Sequence, residues 1–470
     1  MVNSQYLTKI HLIGIGGIGV SALAQYYLTK GHKISGSDLT SSEITDALKK
    51  KGAKLILGRH LAKNLPENTD LVIHSLAVLS DNPEMKKAKK LGIKIQSYPE
   101  ALGELTRKYF TIAVSGTHGK STSAAMIALI LIKAGLDPTV IVGTKLKEFG
   151  DSNCRVGKSK YLVIEADEWQ ASFLNYRPKI IVLTNIEKEH LDFYKNLNHI
   201  LKTYKKYIGH LPKDGVLVAN SDDFNTRKII RDRISKGDQI SLYWLNQRGT
   251  KKLKEILKIP GEHNVYNALA ALTVARILKI PDKISFKAIS EYKGSWRRFE
   301  VKKVLLKPLL KPGFNRHLIT VVSDYAHHPT EIEATLKAAR EKFPRKEIWC
   351  IFQPHQYQRT YYLFDDFVKV FKEALRPAQG KPQIDRLIIT DIYDVAGREE
   401  KKIKEKVSSE KLIKAINKPL AIYRAHKNLC AAVYIPTIKK ATDYLKKNLQ
   451  GGEVVIIMGA GDIYKLCEQL

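Results

Sequence analysis

Short runs of β-branched and aromatic residues recur along the chain, each followed by a polar or glycine-rich turn and then by a stretch with helical spacing. The runs are Lys9–Ile13, Tyr109–Val114, Tyr161–Ile164, Lys179–Leu183, Leu318–Val322, Glu347–Phe352, Arg386–Ile389 and Glu453–Ile457. Apolar runs of this kind, alternating with helices, predict parallel sheets covered on both faces. In such open α/β sheets, ligands bind beyond the carboxyl ends of the strands. The polar motifs of this chain sit just there, so they are the first places to look for chemistry.

Restarts of the pattern divide the chain into an α/β unit over 1–108, a second over 109–293 and a third over 294–470. The second ends in a helix at Val265–Leu278, and Pro281 and Gly294 mark the break after it. Lys302–Arg316 and Arg376–Pro382 are rich in Lys, Pro and Gly and read as surface loops. With 470 residues and 44% hydrophobic content, about three domains are expected. The fold class is therefore three-domain α/β, each domain a mainly parallel sheet with flanking helices.

Composition narrows the setting. The longest apolar stretch, Ala124–Ile132, is well short of the ~20 residues a membrane span needs. The start of the chain lacks the basic, apolar, small-residue order of a secretory signal. Cys154, Cys350, Cys430 and Cys467 are far apart, which fits a reduced, cytoplasmic compartment and not a structural zinc site. The formal net charge is +32. Its lysines are scattered through helical surface patterns such as Lys86-Lys87-Ala88-Lys89-Lys90, and no nucleic-acid-binding signature accompanies them. Solvated faces explain most of the charge, and steering of polyanionic small substrates explains part of the rest.

The clearest chemical motif is Val114-Ser115-Gly116-Thr117-His118-Gly119-Lys120-Ser121-Thr122, between a strand and an apolar helix. Small residues let backbone N–H groups wrap phosphate oxygens, and Lys120 adds a point charge. A hydroxyl of Ser121 or Thr122 suits Mg²⁺. Val114 stands where the first glycine of a Walker loop would be, so this is a shorter relative. Gly14-Ile15-Gly16-Gly17-Ile18-Gly19 matches GxGxxG, with Asp38 near the place of a ribose-binding acid. Alone that motif is weak: it permits close approach to any pyrophosphate, in NAD or in a UDP-sugar, or serves as a plain strand–helix turn.

Two acidic clusters follow consecutive strands, Glu165-Ala166-Asp167-Glu168 and Thr184-Asn185-Ile186-Glu187-Lys188-Glu189-His190-Leu191-Asp192. Carboxylates facing a phosphate loop suit Mg²⁺, and an imidazole could serve a second ion. Asp167 and Asn185 read equally well as helix caps. His263 and Asn267 lie at i and i+4, so they share a helix face that an adenine could use. Trp296-Arg297-Arg298-Phe299, Ser323-Asp324-Tyr325-Ala326-His327-His328-Pro329-Thr330 and Phe352-Gln353-Pro354-His355-Gln356-Tyr357-Gln358-Arg359-Thr360 complete the set. Thr330 reads as a helix cap, and no third His or Cys supports zinc at the His pair. Met458-Gly459-Ala460-Gly461-Asp462 is a last strand-to-glycine turn, balanced between connection and ligand site.

Taken in order, these motifs resemble the Mur ligase family over nearly the whole chain, from His11–Ala24 to Met458–Asp462. The resemblance implies Rossmann-like N- and C-terminal domains around a central P-loop-type ATPase domain, the last domain closing over the active site. It implies an ATP-dependent ligase adding L-alanine to the lactyl carboxylate of UDP-N-acetylmuramate, working in the cytoplasm as a monomer or homodimer. The cofactors it implies are ATP and Mg²⁺, two ions. Gly14, Gly16, Gly17, Gly19, Asp38, Ser75 and Arg359 then belong to the UDP-sugar. Gly116, Thr117, His118, Gly119, Lys120, Ser121, Thr122, His263, Asn267 and Arg298 belong to ATP. Ser121, Glu165 and His190 hold the metal, and Lys120, His190, Arg298, Asp324 and His327 are catalytic. The chain departs from the family at Ser121, usually threonine, at Trp169-Gln170, at Gln356, usually arginine, and at His74-Ser75-Leu76.

Three other readings have distinct signatures. A sister ligase would attach a recycled peptide in place of alanine. A dinucleotide-dependent oxidoreductase would use Gly14–Gly19 and Asp38 but leave the Lys120 loop unexplained. A nucleic-acid-stimulated NTPase is suggested by the charge alone.

Overall fold

The structure, a computed structural model, describes residues 8–235, 241–245, 250–306, 317–376, 382–395, 401–418 and 432–470. All eight apolar runs are strands, with ends that differ by at most two residues. The first sheet contains β1 (Lys9–Ile13), β2 (Lys33–Asp38), β3 (Lys54–Leu57), β4 (Leu71–His74) and β5 (Lys94–Ser97), all parallel in the order β3-β2-β1-β4-β5. The second contains β6 (Phe110–Ser115), β7 (Thr139–Leu146), β8 (Ser152–Arg155), β9 (Tyr161–Glu165), β10 (Ile180–Leu183), β11 (Val216–Asn220) and β12 (Ser241–Leu245). Its order is β12-β11-β10-β6-β9-β7-β8, and only the β7–β8 pair is antiparallel. The third contains β13 (Glu300–Leu306), β14 (His317–Asp324), β15 (Ile348–Phe352), β16 (Arg386–Ile389), β17 (Ala432–Tyr434) and β18 (Val454–Met458). Its order is β13-β14-β18-β15-β16-β17, antiparallel only at β13–β14.

By contacts the chain forms two compact units. One holds 1–187, 197–253 and 266–291, with the first two sheets; the other holds 188–196, 254–265 and 292–470, with the third. The central strands are sealed from water: Leu12, Ile13, Val114, Ile164, Val182, Ile351 and Ile456 are fully buried. The helix Lys120–Lys133 is apolar nearly all round and buried along its length, as a helix lodged between a sheet and a second helix layer must be. The helix Pro83–Lys90 is the opposite case. It buries Glu84, Met85 and Ala88 and leaves Lys86, Lys89 and Lys90 in water, so those lysines are solvated, as expected.

Within the first unit, buried polar contacts join the first two sheets. Asn153 on β8 donates to Ile18 O and to Ser21 Oγ (3.1 Å), at the start of the helix after the glycine loop. Gln25 of that helix donates to Asn153 Oδ1 (2.7 Å) and accepts from Ser152 Oγ (2.8 Å). The hydroxyls of Tyr26 and Tyr109 add a bond of 3.0 Å.

Three sequence expectations change. Lys302–Leu306, read as loop, belongs to β13: an edge strand tolerates exposed lysines, which guard the edge against further pairing. The remainder of that loop, 307–316, and most of the other, 377–381, lie outside the described residues, as does Cys430. The helix expected at Val265 begins at Glu262, and a further helix, Asp282–Glu291, follows Pro281. Among the described residues no helix is long and apolar enough to cross a membrane.

Candidate active site

Gly14–Gly19 leave β1 where the order of the first sheet reverses, between β1 and β4. The loop is anchored from β2: Gly14 N and Ile15 N both donate to Ser37 O (2.9 and 3.1 Å), and Gly16 N donates to Asp38 Oδ2 (2.8 Å). Asp38 therefore shapes the loop from behind. Ser75, at the end of β4, touches Gly14: a Cβ added there would lie 3.0 Å from the serine Cβ. Gly17 N closes the turn on Gly14 O (3.1 Å). At Gly19 a Cβ would come within 2.7 Å of the Tyr98 ring, so only glycine lets this helix start so close to its neighbour.

The second cradle follows β6. Here the loops after the neighbouring strands β9 and β10 lock the glycine loop Gly116–Gly119. Thr117 N donates to Asn185 O (3.0 Å), and His118 N to Asn185 Oδ1 (2.9 Å). Thr184 Oγ1 donates to His118 O (2.6 Å), and Glu187 N to Thr117 Oγ1 (2.9 Å). Gly116 has φ +130°, and a Cβ on it would be driven into Thr184 Oγ1 at 2.0 Å. Ser115 Oγ donates to Ala166 O (2.9 Å), fastening the acidic segment after β9. Asn185 thus fastens the Gly116–Gly119 loop and caps no helix.

Lys120 Nζ donates to Gly116 O (2.7 Å), Thr117 O (3.2 Å) and Glu168 Oε2 (3.0 Å), with Asp167 at 3.8 Å. Burial pulls the ammonium pKa down, but Glu168 and Asp167 outweigh it and hold Lys120 above the ordinary lysine range. Glu168 feels the same burial from the acid side. Its carboxyl is pushed up to about 7 although Lys120 draws it down. Glu165 accepts from Gly143 N (2.6 Å), which orients its carboxylate, and Ser121 is buried in the first helical turn. A hydroxyl and carboxylates are hard oxygen donors of the kind Mg²⁺ selects. Asn267 approaches Gly119: a Cβ there would be 2.4 Å from Asn267 Oδ1, which also accepts from Ser123 Oγ (3.0 Å). His263, on the same helix, packs its ring against Gly261.

His190 belongs to the second unit and has φ +53°. Its N–H donates to Glu189 Oε1 (3.0 Å), and its carbonyl accepts from Phe193 and Tyr194 (2.9 and 2.8 Å). Glu189 is buried against Arg359, whose Nε and Nη2 both donate to Oε1 (3.0 and 2.8 Å). Burial raises the Glu189 carboxyl, but Arg359 and the neighbouring histidines more than reverse this and hold it well below the usual range. Arg359 Nη1 also donates to His355 O (2.9 Å). Gln356 is buried with φ +72° and precedes the helix Tyr357–Tyr362.

Asp324 accepts from Phe299 N and Ala326 N (2.7 Å each), and burial raises its carboxyl despite the nearby Arg298. The Arg298 guanidinium lies 4.9 Å from the Tyr325 ring centre. His327 Nδ1 faces Tyr325 O and Glu331 Oε2, both at 3.1 Å. The cap expected at Thr330 is His328 instead. Its ring accepts from Thr330 N (3.3 Å), because Pro329 takes the first helical position and leaves the histidine in extended backbone.

The sequence pattern gave no role to Glu168, Glu189 or Arg297 individually, and read Asn185 as a helix cap. Arg297, next to Arg298, is the buried one of the pair and donates to Gly459 O and Gly461 O (3.1 Å to the second). Its function is to hold the last glycine turn.

Family models of the Mur ligases match three consecutive stretches: the catalytic domain at 9–110, the middle domain at 114–275 and the glutamate ligase domain at 313–461. The UDP-N-acetylmuramate–L-alanine ligase of Acetivibrio thermocellus is 40% identical, over 98% of this chain and 94% of that one. The ligase of the same name from Clostridium tetani is also 40% identical, over 98% and 97%. Among solved structures, UDP-N-acetylmuramate-alanine ligase of Thermotoga maritima superposes with a TM-score of 0.74 at 26% identity, covering 98% of each chain. With its three sheets, its two glycine cradles and these matches along its length, the chain belongs to the Mur ligase family.

Proposed function

We propose that this protein joins L-alanine to the lactyl carboxylate of UDP-N-acetylmuramate in the cytoplasm, converting ATP to ADP and phosphate. The observation that carries the reading is the first unit's pair of anion cradles, one with Lys120 and one without any lysine. We assign the UDP-sugar to residues 1–108, ATP to 109–293 and the remaining contacts to 294–470. The sugar's carboxylate oxygen attacks the γ-phosphorus, and the bond to ADP breaks. The alanine amine then attacks the acyl carbon, and the tetrahedral intermediate expels phosphate as the amide forms. We assign Lys120 to the charge that accumulates on the transferred phosphoryl group, where its largely buried setting strengthens its effect. Bound Mg²⁺ supplies further charge neutralisation. Ser121 and Glu165 offer it oxygen donors, and the family pattern adds His190.

The test is phosphate release with ATP, UDP-N-acetylmuramate and a panel of L-alanine, glycine, L-serine and a tripeptide. Release with L-alanine is expected to lead the panel; release with the tripeptide alone would identify the sister ligase. Gly19→Val pushes the loop off Tyr98 and is expected to lower kcat/KM for the UDP-sugar on the order of 10²-fold, with the KM for ATP within about twofold.

A further inference from the structure

We propose that Glu84 is a positioning residue for the UDP-sugar site, holding the glycine loop in shape through Ser37. The inference rests on the first-domain substrate reading above. Glu84 projects from the helix Pro83–Lys90 and is fully buried. Its carboxylate gathers three elements. Ser37 Oγ on β2 donates to both oxygens (2.9 Å each), His11 Nε2 on β1 donates to Oε2 (2.7 Å), and His60 Nδ1, beyond β3, donates to Oε1 (2.6 Å). His11 is fixed in turn, its Nδ1 facing Ser35 Oγ at 2.9 Å.

Ser37 is the residue whose carbonyl takes the N–H groups of Gly14 and Ile15, and its neighbour Asp38 takes that of Gly16. The backbone that must face a diphosphate therefore hangs from a strand end that Glu84 holds by the side chain. A buried carboxylate is a poor choice for stability alone, since apolar packing of the same volume does as well. What the carboxylate adds is a fixed geometry among β1, the end of β2 and the segment after β3. Burial raises its pKa, but the bonds from His11, His60 and Ser37 more than offset this, so Glu84 lies below the usual carboxylate range and acts as acceptor to all three.

Steady-state kinetics of the full-length enzyme test the assignment. Glu84→Gln and Ser37→Ala are expected to raise the KM for UDP-N-acetylmuramate about 10-fold, leaving kcat and the KM for ATP within about twofold. Glu84→Asp, which keeps the charge, should recover part of the loss. Equal changes in both KM values, or an unchanged KM for the UDP-sugar in Ser37→Ala, would overturn the proposal, and Ser37→Ala decides the matter if Glu84→Gln does not fold. Gly19→Val is measured beside them. If it too leaves the UDP-sugar constant untouched, the first-domain substrate reading fails. If it alone raises that constant, only the role of Glu84 fails.

Discussion

Replacing Lys120 with alanine is expected to lower alanine-dependent ADP release by on the order of 10³-fold. The carboxylate of one substrate must approach the polyphosphate of the other, and both are anions. The Lys120 ammonium, assigned above to offset this repulsion, is held in place by Gly116 O, Thr117 O and Glu168, and one of these three bonds gives way when it donates to a phosphate oxygen. The fold should survive the change. Glu168 already stands at about 7 by burial, so without its cation it takes a proton and remains as a neutral acid. Circular dichroism should therefore be unchanged while turnover collapses. Lys120→Arg keeps the charge but not the point geometry, and intermediate activity is expected. Near-normal turnover in Lys120→Ala would remove the lysine from the mechanism.

The second large effect is on stability. Glu189→Ala leaves the Arg359 guanidinium buried without its hydrogen-bonded carboxylate, and breaking such a pair costs about 3–5 kcal/mol. His355 O would still accept one N–H, which is too little to solvate the cation. The double variant Glu189→Leu with Arg359→Met removes both charges at once and should recover most of that loss. Urea denaturation of the wild type, Glu189→Leu, Arg359→Met and their double variant measures the coupling, with Glu189→Ala measured beside them. A cost below about 1 kcal/mol for the single variant would mean that water reaches the pair and screens it.

The parts legible in the sequence were those whose physics is local. Strands buried on both faces must be apolar runs, so β1, β6, β9, β10 and β14 to β18 could be found, β17 excepted. β2 and β8, with Ser, Gly, Asp and Asn in their short spans, carry no such mark, and β13 was hidden by the lysines that guard its edge. The glycine loops announced themselves because only glycine meets their close approaches. Glu84, Glu168, Asn185, Glu189 and Arg297 did not, because each acquires its role from a partner distant in the chain: Glu168 from Lys120, Glu189 from Arg359, Arg297 from Gly459. No spacing rule points to a pairing across 162 positions. His328 was missed for another reason: capping by an imidazole is uncommon, and the hydroxyl of Thr330 was the more familiar sign.

The seam of Gln25, Ser152 and Asn153 turns the first unit into a gauge. Side-chain bonds and not a slack tether join the first two sheets, so on the proposed assignment of one cradle to the sugar nucleotide and the other to ATP, the spacing between them is a manufactured dimension against which a donor and an acceptor would be measured. A sugar nucleotide lengthened by one methylene between its diphosphate and its carboxylate would still seat its uridine end yet present its nucleophile out of register. Selection by length would then operate before any side chain had inspected the chemical identity of the molecule.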